Sequence, residues 1–308
     1  CLLSRGLGDV YKRQAPDGVN DVANVAFGGT VSITSTGSSS LISNDTDAEG
    51  DSLTATLVSS PTYGTITLNS DGTFVYTHSG TSTASTDSFT YRPNDGSLDG
   101  SIASVTFSVN LPPITVSDTI NVNESESSNS LFGGGQNVLI NDNDPEGALV
   151  SASLVSTPTN GTITLNSNGT FSYQHDGSET TSDTFQYRAY DGAVYGNTVT
   201  ITINITPVND APATVTDTII VADSGTVNMT STGSSSLLDN DIDAEDDNLT
   251  AVLANGPSSG NLTLNANGTF SYTHNGSAVD QDSFSYKSND SNLDGNTVTV
   301  TIIITSTR

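Results

Sequence analysis

The block Asn44 to Tyr91 returns from Asn141 to Tyr187 and again from Asn240 to Tyr286, so the chain is one module in three copies. Asn44-Asp45-Thr46-Asp47-Ala48-Glu49 aligns with Asn141-Asp142-Asn143-Asp144-Pro145-Glu146 and with Asn240-Asp241-Ile242-Asp243-Ala244-Glu245, at spacings of 97 and then 99 residues. That period suits a small domain and is far longer than a solenoid turn. Thr34 to Leu41 recurs unchanged as Thr230 to Leu237, which makes the first and third copies the closest pair. Duplication explains this, and each copy serves as a control for the others.

Apolar residues alternate with polar ones in every copy, the period of a half-buried strand and not of a helix. In the first copy Val25, Val31 with Ile33, Leu53/Ala55/Leu57, Ile66/Leu68, Phe74/Tyr76, Phe89/Tyr91 and Val105/Phe107/Val109 mark about seven strands. The expected fold is all-β, three tandem seven-stranded β-sandwiches. A hairpin over Thr65 to Thr77 is the clearest element, because Asp71-Gly72, Asn168-Gly169 and Asn267-Gly268 supply the positive φ of a tight turn. Proline-bearing linkers at Leu111-Pro112-Pro113 and Pro207-Val208-Asn209-Asp210-Ala211-Pro212 set expected domains at 15–111, 112–206 and 207–308. The second linker is longer and carries an Asn-Asp pair that the first lacks.

Residues 1–14 align with nothing later and resemble translated vector sequence, so they are set outside the fold, and the chain is expected to be a fragment of a longer protein. Cys1, the only cysteine, lies there, so no disulfide framework exists within the chain. There are 34 acidic residues against 7 basic ones, a net charge of −27. Such a field attracts cations and disfavours nucleic acid and anionic membrane surfaces as partners.

The acids recur at matching positions. Asp45, Asp47, Glu49 and Asp51 open the first block, Asp142, Asp144 and Glu146 the second, and Asp241, Asp243, Glu245 and Asp247 the third, with Ala148 standing where the first copy has Asp51. Carboxylates at every second position beside a bend can aim several hard oxygens at one point, as Ca2+ requires. Asp21, Asp118 and Asp217 precede the first strand of each copy, and Asp95, Asp191 and Asp290 follow a tyrosine-bearing strand, so loops at one end of a sandwich could bring them to the same place. The pattern is not an EF-hand, and the competing reading is a solvated acidic edge that keeps a β protein soluble. Affinity for calcium is expected on the order of 10⁻⁴ to 10⁻³ M, with the second copy weaker.

Nothing in the chain reads as catalytic, and no enzyme activity is expected. His78, His175 and His274 occupy one position per copy, two residues after Tyr76, Tyr173 and Tyr272, which favours a structural role. One histidine per copy and no usable cysteine leave too few ligands for zinc. Tyr63, Tyr190 and Tyr195 have no aromatic counterparts in the other copies and are the case for a ligand surface.

The run Asn44 to Asp51, the block Gly64-Thr65-Ile66-Thr67-Leu68-Asn69 to Phe74, the segment Asp87 to Tyr91 and the linker Val208 to Pro212 together resemble bacterial cadherin-like and VCBS-type repeats over nearly all of residues 17–308. The resemblance implies immunoglobulin-like sandwiches in tandem, stiffened by calcium, in large secreted or surface adhesins. It implies that Asn209 and Asp210 are linker ligands joined by Asp243 and Glu245, and that the first junction departs from this pattern at Leu111-Pro112-Pro113. The expected role is a calcium-stabilised extender outside a bacterial cell, with neighbouring repeats and calcium as partners. The alternatives are repeats that themselves bind a glycan or a protein, and an accessory region of a secreted enzyme.

Overall fold

The computed structural model describes residues 13–148 and 150–306. Cys1 and most of the leading segment lie outside these residues, whereas Arg13 and Gln14 lie within them.

Each repeat is a pair of sheets of four and three strands. In the first repeat these are β1 (Asp21–Ala26), β2 (Thr30–Val31), β3 (Thr54–Ser59), β4 (Gly64–Leu68), β5 (Phe74–His78), β6 (Thr86–Asn94) and β7 (Ala103–Asn110), in the orders β1-β7-β6-β3 and β2-β5-β4. The second repeat has β8 (Thr119–Asn123), β9 (Ser127–Ser128), β10 (Ser151–Ser156), β11 (Gly161–Leu165), β12 (Phe171–His175), β13 (Ser182–Tyr190) and β14 (Val199–Thr206). The third has β15 (Thr218–Ala222), β16 (Thr226–Val227), β17 (Thr250–Asn255), β18 (Gly260–Leu264), β19 (Phe270–His274), β20 (Gln281–Asn289) and β21 (Val298–Thr305). The chain is therefore all-β, three tandem β-sandwiches. Among the described residues, two 3-10 turns, Leu41–Ser43 and Leu237–Asn240, are the only helical segments.

The first strand of a repeat pairs with its last strand in parallel, Asp21 opposite Val105 and Thr218 opposite Thr301. This ties the two ends of a repeat together across its whole sequence length. The core lies between the sheets, where β5, β6 and β7 alternate strictly: Phe74, Tyr76, Phe89, Tyr91, Val105 and Phe107 are buried. The Tyr76 ring stacks on Phe107 at 3.8 Å between centroids. The edge strand β3 departs from the expected alternation, because only Ala55 is buried and Leu57 is exposed. A register shift between Leu57 and Ser59 turns that end of the strand away from the core. Ile33 falls beyond the two-residue β2 and is exposed.

The hairpin turn needs its glycine for two reasons. Gly72 has φ +80°, and a Cβ there would run into the Ser40 hydroxyl and Ile42. Asp71 Oδ1 accepts from the Thr73 N–H, and Asn168 and Asn267 Oδ1 accept from Thr170 and Thr269. The position needs an acceptor oxygen and not a charge, which explains why Asp and Asn interchange.

Packing groups the chain into two compact units. One runs through Val122 and continues over Glu126–Asp176 and Ser182–Asn204, and the other comprises Asn123–Ser125, Gly177–Thr181 and the chain from Ile205. Two short loops of the second repeat thus belong with the third repeat.

Candidate functional site

The acids of each repeat fall into two sets with different surroundings. The first set is a buried knot around a tyrosine. The Tyr91 hydroxyl lies 3.0 and 3.1 Å from the two Asp45 oxygens, 3.4 Å from Asp21 and 3.2 Å from the Leu41 carbonyl. Asp45 also accepts from the Val19 N–H at 2.6 Å, and Asn44 donates to Asp21. Asp118, Asp142 and Tyr187 repeat the knot, as do Asp217, Asp241 and Tyr286. Burial, and then the charge of the facing Asp45, Asp142 or Asp241, pushes Asp21, Asp118 and Asp217 up to about 6. Burial likewise raises Asp45, Asp142 and Asp241. Five of these residues are held by the fold's own donors, whereas Asp118 accepts from Asn141 on one oxygen and keeps Oδ2 buried without a hydrogen-bond partner.

The second set lies where the acidic loop meets the linker. Asp47 Oδ1 accepts the N–H groups of Glu49 and Asp51, Asp144 Oδ1 those of Glu146 and Ala148, and Asp243 Oδ1 that of Asp247. Ala148 keeps the backbone role of Asp51 and Asp247, so the loop keeps its form and loses only a carboxylate. Asp95, Asp191 and Asp290 each receive two backbone N–H bonds from the turn that follows. For Asp95 and Asp290 the backbone N–H of Leu98 and Leu293 leads in lowering the pKa. For Asp191 burial opposes, but its backbone bonds and Asn110 outweigh it and the pKa is likewise lowered.

The linker then threads between these loops. Asn209 donates to Asp290 at 2.8 Å and the Asp210 N–H to Glu245 at 2.8 Å. One junction earlier, Asn110 donates to Asp191 at 2.7 Å and the Leu111 N–H to Glu146 at 2.9 Å. At the start of the described chain Gln14 N–H reaches Glu49 and the Arg13 guanidinium pairs with Asp51 at 2.7 Å. Arg13 and Gln14, set outside the fold by sequence, thus occupy the linker positions of the first repeat.

The donors run out before the oxygens do. Asp47 Oδ2, Asp144 Oδ2 and Asp243 Oδ2 are buried without a hydrogen-bond partner, as are Glu245 Oε2, Glu124 Oε1 and Asp95 Oδ2, the last of which faces the Arg13 guanidinium at 3.8 Å. A buried carboxylate oxygen with no donor is strongly disfavoured unless a cation faces it. The sharpest case lies inside the second unit. Glu124, Glu179 and Asp210 each bring a carboxylate oxygen within 4.8 Å of the other two. Burial, and then Glu124, Glu245 and Asp210, raise Glu179. Glu124 itself is 3% exposed, and its other oxygen accepts the Val208 N–H at 3.1 Å. The donor set is oxygen alone, which fits a hard divalent cation and not zinc.

Glu124 and Glu179 were not among the sequence candidates. They lie on separate loops of the second repeat, and Glu124 stands where the first repeat has Phe27. That substitution, with Asp210 standing where the first linker has Leu111, was the signal available. At the first junction the corresponding side chains are apolar: Leu111 is buried in the first repeat's core, and Phe27 packs against that core. Asn110, also unforeseen, is the polar residue there.

The family model for the bacterial cadherin-like domain matches residues 13–111, 110–207 and 209–306. The chain belongs to the bacterial cadherin-like domain family. No curated protein matches this cadherin-like array. Among solved structures it is similar to mouse cadherin-23 EC22-24, at 18% identity and a TM-score of 0.46, over 95% of this chain and 99% of that one. Human mucin-like protocadherin EC1-2 is similar at 18% identity and 0.40, over 63% and 98%. An endo-fucoidan hydrolase of glycoside hydrolase family 107 is similar at 17% identity and 0.28, over 96% of this chain and 45% of that one. None of these likenesses bears on function. No helix among the described residues is long and apolar enough to cross a membrane.

Proposed function

We propose that this cadherin-like array is a calcium-stabilised extender segment of a large bacterial adhesin, working outside the cell or on its surface and without catalysis. The observation that carries the reading is the meeting of Glu124, Glu179 and Asp210, with orphaned oxygens on Glu124 and on the neighbouring Glu245. Calcium bound there would supply the positive charge that these carboxylates lack. The residues divide the work. Asp210 and Asn209 carry the linker, Glu245, Asp243 and Asp290 belong to the third repeat, and Glu124 and Glu179 come from the ends of second-repeat loops. A cation held by all three groups makes the linker's conformation conditional on calcium.

A mechanical role also suits the histidines. His78 Nδ1 accepts from the Gly28 N–H at 3.1 Å, and His274 Nδ1 lies 3.0 Å from Asp223, so each closes a strand end against the turn that joins the first two strands of its repeat. Thermal unfolding in millimolar calcium and then in excess chelator tests the proposal. The midpoint should rise with calcium, and an unchanged midpoint would overturn the calcium role.

A further inference from the structure

We propose that the second repeat carries a binding site for an acidic saccharide, built by Arg188, Tyr190 and Tyr195. In the first repeat the same three positions hold Arg92, Asn94 and Asp99: Arg92 pairs with Asp99 at 3.2 Å, and Asn94 donates to Asp99 at 2.8 Å. In the third they hold Lys287, Asn289 and Asp294, with Lys287 again on the aspartate and Asn289 donating to it at 2.9 Å. The second repeat keeps the cation and replaces both of its companions with tyrosines. The Arg188 guanidinium carbon now sits 3.6 Å from the Tyr195 ring centroid, and the Tyr190 and Tyr195 rings lie 4.5 Å apart at 33°.

The exchange removes the carboxylate from beside the cation. Among the described residues no ion pair includes Arg188, whereas Arg92 keeps Asp99 at 3.2 Å; the Nε atom is buried without a hydrogen-bond partner in both arginines, so the difference lies at the end of the guanidinium. Tyr195 is 46% exposed, whereas the aromatic residues of the strand cores are buried. Tyr190 is fixed by donating from its hydroxyl to the Gly192 carbonyl at 2.8 Å. The backbone beneath is unchanged, since Tyr190 bridges Tyr195 as Asn94 bridges Asp99 and Asn289 bridges Asp294. The surface therefore offers a rigid aromatic platform and a guanidinium whose anion is missing, in a chain of net charge −27.

A pyranose ring presents a face of C–H groups that packs on tyrosine, and a carboxylate or sulfate on that ring would take the bidentate donors of the guanidinium. A neutral sugar would use the platform alone, and an acidic peptide the charge alone. The shared requirement of ring and anion selects a uronate-bearing or sulfated saccharide.

The test is calorimetric titration of the whole chain in saturating calcium, which keeps the junction cation out of the comparison. The probes are a polyuronate hexasaccharide, a sulfated galactan hexasaccharide, neutral galactan hexasaccharide and hexaglutamate. At least one acidic saccharide should bind, and more tightly than the neutral sugar and the peptide. Tyr195→Asp rebuilds the ion pair of the first repeat, and Arg188→Gln removes the charge while keeping the rings. Each should weaken the acidic saccharide about tenfold or more with the melting midpoint unchanged, the effect of losing one charge-assisted contact. The proposal is overturned if neither acidic saccharide binds, if the neutral sugar or hexaglutamate binds as tightly, or if both variants bind like the parent chain.

Discussion

At the scale of single residues, the same side chain serves opposite ends according to its donors. Asp87 is buried near the start of β6, yet burial is outweighed by bonds from the Tyr76 hydroxyl and from the N–H groups of Thr62, Tyr63 and Ser88, so its pKa is lowered. Its contribution to stability is present above the ordinary carboxylate value of 3.8 and is lost as pH falls through the lower folded value. Asp87→Asn keeps the volume but removes an acceptor from among four donors, and should cost about 3 kcal/mol in a denaturant melt. Asp21, Asp118 and Asp217 have the opposite sign. Their folded values near 6 exceed the ordinary 3.8, so without divalent cations the folded state takes up protons in that window. Calcium-free protein should melt higher at pH 5 than at pH 7.5, and lower again at pH 3, where the unfolded chain takes up protons that the folded surroundings of Asp87 and its third-repeat counterpart Asp282 disfavour. A midpoint that falls steadily from pH 7.5 to pH 5 would contradict this assignment.

At the scale of elements, the hairpins were legible in full and the edges were not. Alternation identified β4, β5, β6 and β7 because both sheets bury one face of each against the core, and Asp71-Gly72 marked the turn. Gly72→Ala should destabilise the first repeat by at least about 2 kcal/mol, since the positive φ and the contact with Ser40 act together. Its unfolding transition, followed by tyrosine fluorescence, reads the effect. Alternation failed at β3, where a bulge decides which side chains face inward, and at Ile33, where the strand ends early. The parallel pairing of first and last strands left no local mark in the sequence, because it joins residues more than eighty positions apart.

For the candidate site, the repeated acidic loop was legible as a group but not as two groups. Asp45 and Asp47 are two residues apart and look alike in sequence, yet Asp45 turns to Tyr91 while Asp47 keeps an oxygen without a donor. Glu124 and Glu179 were hidden for the opposite reason, being single acids on loops that acquire meaning only where the next repeat begins. Ala148 illustrates what a missing carboxylate does and does not change, since its N–H holds the loop as before.

At the scale of the whole molecule, the two junctions differ in chemistry. The first places Leu111 in an apolar core and keeps Asn110 on Asp191, and the second places Asp210 among Glu124, Glu179 and Glu245. A string of identical modules thus need not have identical joints, and calcium should act on the second junction more than on the first. Leu111→Asp should destabilise the chain in chelator by introducing an unpaired charge beside Glu146, a loss read from the melting midpoint. The most direct test of the central claim is a calcium titration by isothermal calorimetry of the parent chain and of a Glu124→Gln/Asp210→Asn variant. The account predicts that the variant loses the tightest binding step while its fold persists in far-ultraviolet circular dichroism. Superimposable isotherms for the two proteins would contradict it.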